Sequence, residues 1–161
     1  MKSVKAIFFF SIALLFTTVN SFSKDPSLLI NEIVNEASAI LSSQDPVEAK
    51  IIKLNNLAEI NVDINGIALY ALGKHRKTIS SNDKVKYLKL FRSYFLKTFS
   101  SRLVDYSDPK INIVDQKFLN KNYTIVNTKL EATKKNPEIN ISWRIYTKDP
   151  DRPLIRDLII E

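Results

Sequence analysis

The sequence predicts an α+β fold: N-terminal helices packed on one face of a curved, antiparallel, four-stranded sheet. Three observations carry that expectation. Apolar residues recur at three- and four-residue spacing as far as about residue 106, which marks amphipathic helices. After Pro109 the period falls to two and β-branched and aromatic residues become common, as in half-buried strands. Short polar segments at Lys134 to Pro137 and Asp149 to Pro153 then separate the strands too closely for crossovers. A run of helices followed by a strand meander puts the helices on one side of an antiparallel sheet.

The first helix is expected from Pro26, with Leu29, Ile30, Ile33, Ala37, Ile40 and Leu41 as its stripe. Asp45-Pro46 opens a second, in which Val47, Ile51, Leu54 and Ala58 form a narrower line. A third runs from about Asp63 to Leu72 and stops at Gly73, where Lys74, His75, Arg76 and Lys77 suit a helix C-terminus. The fourth, about Asn82 to Tyr106, is announced by Ser80 with Asp83 three residues on, a capping box with Asp in place of Glu. Its apolar line is Val85, Leu88, Phe91, Tyr94, Phe95, Phe99 and Leu103, with Lys84, Lys86, Lys89, Arg92 and Lys97 on other faces.

Strands are expected at Ile111, Ile113 and Asp115, at Tyr123 to Ala132, at Ile139 to Tyr146 and at Leu154 to Ile160. In the third, Ile139, Ile141, Trp143 and Ile145 alternate with polar partners. Curled around a long aromatic helix, these strands form either a closed core or a cone with an apolar cavity. Periodicity does not separate the two.

Composition narrows the chemistry. The 161 residues, 45% hydrophobic and 25% charged, suit one domain rather than two. There is no Cys, so disulfides, thiolate zinc sites and cysteine nucleophiles are excluded. One His, His75, rules out multi-histidine metal sites and leaves any Ser-His-Asp chemistry to that residue. Two Gly are too few for P-loops or dinucleotide fingerprints. The net charge of +7 favours anionic partners.

Two of those charges, Lys2 and Lys5, belong to a leader. They precede an apolar stretch of about 14 residues, Ala6 to Val19, and a small-residue end at Ser21-Phe22-Ser23, the layout of a cleaved secretory signal. The stretch is short of the roughly 20 apolar residues that span a bilayer. Residues 1–23 are therefore expected to be a signal peptide and 24–161 a single exported domain. Export and the scatter of Lys along the chain argue against nucleic acid as a partner.

The order of residues in the exported part resembles the MlaC family, the toluene-tolerance auxiliary components that bind phospholipid in the periplasm. The resemblance rests on Val62-Asp63, then Ala71-Leu72-Gly73, then Leu90-Phe91-Arg92-Ser93-Tyr94-Phe95-Leu96-Lys97-Thr98-Phe99, followed by Leu103 and Tyr106. The ending Ile155-Arg156-Asp157-Leu158-Ile159-Ile160-Glu161 looks like that family's terminal strand. Two departures stand out. Pro153 occupies the position where the family has a Trp, and the chain stops at Glu161 where the family continues, as a C-terminally truncated sequence would.

The resemblance implies a periplasmic carrier, without cofactor or metal and not an enzyme. It would hold glycerophospholipid acyl chains and shuttle them, as a monomer, between an outer-membrane lipoprotein complex and an inner-membrane ABC transporter complex, preserving outer-membrane lipid asymmetry. Acyl carbons are worth about 0.8 kcal/mol per CH₂ when buried, so such a ligand needs a deep apolar cavity. Leu69, Leu72, Phe91, Tyr94, Phe95, Phe99, Ile125, Ile141, Trp143 and Ile145 are the candidate lining, each with ordinary core as the alternative. Lys74, Arg76 and Lys77 suit lipid phosphate, acidic partner patches or plain solvation.

Two other readings stay open. One is a cavity enzyme pairing Asp115 or Asp157 with Tyr123 or Tyr146 for proton transfer; the other is an envelope interaction protein with a filled core.

Overall fold

A computed structural model describes residues 24–133 and 137–161. The leader expected over 1–23, and residues 134–136 of the β2–β3 connection, lie outside the described residues. Helix α1, Pro26–Ser42, begins with Pro at its first position and Asp25 as N-cap, whose carboxylate accepts from the Ser27 N–H. Its buried face is Leu29, Ile30, Val34, Ile40 and Leu41. Helix α2, Val47–Asn61, buries Leu54, Leu57 and Ala58. Val47, expected on its apolar line, is 53% exposed, because the buried face of α2 belongs to its second half.

Helix α3, Ile64–Ala71, is capped by Asp63, which accepts from the Gly66 N–H at 2.8 Å. Gly73 ends it at φ +54° with open space around its Cα, so conformation rather than crowding calls for glycine there. The basic run expected at a helix C-terminus instead forms a separate 3₁₀ turn, Gly73–Lys77.

Helix α4, Ser81–Leu103, starts as expected: the Ser80 hydroxyl accepts from the Asp83 N–H and donates to its carboxylate. It stops three residues before Tyr106. Its inner line also differs, being Tyr87, Phe91, Phe95, Phe99 and Leu103, a strict four-residue repeat of half-buried side chains. Val85 and Tyr94 are 68% and 69% exposed. A four-residue repeat drifts slowly around a 3.6-residue helix, and Val85 and Tyr94 fall to its sides.

The sheet has the order β1-β2-β3-β4, antiparallel throughout: β1 Ile111–Asn120, β2 Tyr123–Leu130, β3 Ile139–Tyr146, β4 Leu154–Ile160. β1 is longer than the expected Ile111 to Asp115. Register shifts after Ile113 and Phe118 break its alternation, and apart from Ile111 it is exposed along its length. β2 ends at Leu130 rather than Ala132. Val62 and Asp63 add a short parallel bridge to the β4 edge at Ile155.

The core is split. One cluster joins Leu29, Ile30 and Val34 of α1 to Val126, Ile145 and Ile155 of the sheet. A second joins Ile40 and Leu41 of α1 to Leu54 and Leu57 of α2, with Phe99, Leu103 and Tyr106 packed against it. Ile33 touches both clusters. Among the described residues no helix is long and apolar enough to cross a membrane.

Candidate functional site

Between the two clusters lies a pocket of about 490 Å³ with almost wholly apolar walls. α4 packs mainly on α2 and α3, so its second half faces the sheet across a gap instead of closing onto it. Phe95, Phe99 and Leu103 form one wall, Ile33 and Ala37 of α1 another, and Ile141, Trp143, Leu158 and Ile160 of β3 and β4 the third. Leu158 and Ile160 are 41% and 62% exposed on the edge strand, so the pocket is open on that side.

The aromatic wall is built by stacking along α4. Phe91 and Phe95 have ring centroids 6.4 Å apart, and Phe95 and Phe99 5.9 Å apart at 7° between planes. Tyr87 continues the line and anchors it, its hydroxyl donating to the Ala68 carbonyl of α3 at 2.9 Å. The opposite wall is held by a polar contact: Trp143 Nε1–H donates to Thr128 Oγ1 at 2.8 Å, and that hydroxyl donates to the Ile141 carbonyl. Thr128 is 1% exposed. A buried indole N–H without a partner is costly, so Thr128 fixes the indole orientation.

Of the ten residues expected to line a cavity, the structure brings four to this pocket: Phe95, Phe99, Ile141 and Trp143. The other six do not border it. Phe91 lies further up the stack, and Tyr94 points to solvent. Leu69 and Leu72 are half-buried elsewhere on α3 and its C-cap, and Ile67 is the α3 residue that borders the pocket. Ile145 is fully buried in the α1–sheet cluster.

Ile125 faces the other side of β2. That strand alternates Thr124, Val126, Thr128 and Leu130 inward with Tyr123, Ile125, Asn127 and Lys129 outward. Both faces carry apolar residues, and the two threonines on the inner face disguise it. Leu41, Leu57 and Val62 also border the pocket. Of these, sequence reasoning placed Leu41 in the α1 stripe, left Leu57 out of the α2 line and used Val62 only in the resemblance.

Polar groups meet the pocket at its margins. Arg156 Nε donates to Asp63 Oδ2 at 2.8 Å and its Nη2 donates to the same oxygen. Its Nη1 donates to the Tyr123 hydroxyl at 3.0 Å, and the guanidinium lies 3.6 Å over the Tyr146 ring. Burial alone would lower the Arg156 pKa, but the hydrogen bonds to Tyr123 and Asp63 outweigh it and hold the group charged. Asp157 pairs with Arg144 at 3.2 Å. Asp115 is exposed and accepts from Asn127 Nδ2. The Asp and Tyr residues that an enzymatic reading would use are thus engaged with arginine or amide partners.

Lys74, His75, Arg76 and Lys77 are all exposed, in the 3₁₀ turn ahead of α4. They do not border the pocket.

The family model described as MlaC protein matches residues 31–161. Among solved structures, a phospholipid-binding protein from Ralstonia solanacearum, determined in complex with a phospholipid, superposes with a TM-score of 0.72 at 12% identity, covering 86% of this chain and 79% of that one. At that identity the likeness speaks for the fold. No curated protein matches the chain.

Proposed function

The chain belongs to the MlaC family, and from that premise we propose that it binds glycerophospholipid, holding acyl chain in the pocket between α4 and the sheet. The observation that carries this reading is the pocket itself, an open apolar gap left between two packed clusters in a fold shared with a phospholipid-binding protein. Taking a methylene as roughly the 30 Å³ that a water occupies in the liquid, 490 Å³ holds on the order of 16 carbons. At 0.8 kcal/mol each, that burial is worth about 13 kcal/mol, enough to hold a lipid without a specific headgroup contact. This volume suits one chain; a second requires α4 to stand further from β3 and β4.

The finer reading is a carrier rather than an enzyme. It works as a monomer in the periplasm after export on the leader read over residues 1–23, and exchanges lipid between an inner-membrane ABC transporter complex and an outer-membrane lipoprotein complex. A soluble carrier suits an acyl cargo, whose exposure to water costs what its burial gains. Organic extraction of protein purified without detergent, followed by mass spectrometry, tests the binding. Near-stoichiometric phospholipid is expected. Protein that carries none, and takes none up from phospholipid vesicles, would contradict the proposal.

A further inference from the structure

Three charged residues border the pocket: Arg102, Arg156 and Asp157. Two are neutralised, Arg156 by Asp63 and Asp157 by Arg144. Arg102 is exposed, in the last turn of α4, and makes no ion pair or hydrogen bond with the described residues. Asp105 and Asp108 follow it in the chain without pairing with it; Asp108 accepts instead from the Ser42 hydroxyl. Four residues on, beyond the end of α4, Tyr106 also borders the pocket, and its hydroxyl likewise has no partner among the described residues. Arg102 is exposed and borders the pocket, so its unpaired guanidinium stands where the apolar walls meet solvent, while Tyr106 is half-buried against the second cluster and borders the pocket four residues further along the chain.

We propose that Arg102 and Tyr106 form a phosphate site at the pocket mouth, taking the phosphodiester of a lipid whose chain lies inside. The inference rests on the lipid-binding reading and adds a headgroup contact to it. A guanidinium presents a fork of N–H donors matched to two phosphate oxygens, and the phenol adds a third donor. Arg156 does not compete for this role, since Asp63 and Tyr123 take its donors. The site selects for the phosphate common to phospholipids and not for what is esterified beyond it.

Arg102 also suits the negative end of α4, a role that lysine fills equally. The test therefore uses Arg102→Gln and Arg102→Lys, with thermal unfolding as a check on the helix. Trp143, the single Trp, borders the pocket, and its fluorescence reports occupancy in delipidated protein. Phosphatidylglycerol and diacylglycerol with matched chains are titrated in turn, with inorganic phosphate as the third probe.

The native protein is expected to prefer phosphatidylglycerol by about fivefold, near the upper end for an exposed ion pair. Arg102→Gln removes most of that preference, leaving what the Tyr106 hydroxyl supplies, and leaves diacylglycerol affinity unchanged. Arg102→Lys retains only part of it. A preference undiminished in Arg102→Gln, or absent from the native protein, would overturn the site, as would release of phosphatidylglycerol by inorganic phosphate alone, which indicates a free-anion site. If neither lipid binds, it is the carrier reading that fails.

Discussion

Phe95→Asp is expected to lower phospholipid loading by close to a thousandfold, while Lys86→Ala on the exposed side of the same helix leaves it intact. Phe95 stands between Phe91 and Phe99 in the α4 stack and forms part of the pocket wall. With the pocket empty and open, an Asp there keeps its hydration, so the fold survives. An acyl chain entering the pocket strips that water, and the effective cost of desolvating a carboxylate is several kcal/mol; about 4 kcal/mol corresponds to the stated factor. Phe95→Leu keeps the wall apolar and is expected to lose less than about tenfold. The measurement is lipid bound per protein after exchange with vesicles, beside far-UV circular dichroism. Equal loading by Phe95→Asp and Lys86→Ala would remove Phe95 from the site.

The second large effect is on stability. Asp63→Ala is expected to destabilise the domain by about 3 kcal/mol, combining the loss of a helix cap with an arginine left without its counterion in a partly buried site. In a chain of this size that lowers the unfolding midpoint by roughly 10 °C. Asp63 bonds both the Gly66 N–H and Arg156, so one carboxylate joins the start of α3 to β4. Gly66 is part of the same device. A Cβ there falls 2.3 Å from Asp63 Oδ2 and 2.9 Å from Arg156 Nε, so Gly66→Ala is expected to destabilise, although alanine favours helices by about 1 kcal/mol. With Asp63→Ala already present the nearer clash is gone, and Gly66→Ala becomes much less harmful. Strictly additive effects in that double-mutant cycle would show that the three residues do not act together.

The architecture was largely legible because period carries it: 3.6 in the helices, two in β3, with Ser80, Asp63 and Gly73 as punctuation. Residues that border the pocket were legible where only one face offered apolar side chains, as with Ile141 and Trp143. They were misplaced where two faces competed. Ile125 lost to a face half made of threonine, and Tyr94 lost to the four-residue repeat beside it. The split of the core, which makes the pocket, is invisible to periodicity. An apolar stripe reads the same whether it meets another element or stops short of it. The partner of Asp63 was equally out of reach, because Arg156 lies 93 residues further along the chain.

The central claim is that acyl chain lies between α4 and the β3–β4 face. Photolysis of a phospholipid carrying a diazirine on its acyl chain, bound to the native protein and followed by peptide mass spectrometry, tests it most directly. Label is expected on the stretch around Phe95, Phe99 and Leu103 and on the stretch containing Ile141 and Trp143. Label confined to exposed apolar residues outside the pocket, such as Tyr70, Leu90 or Phe118, would contradict it.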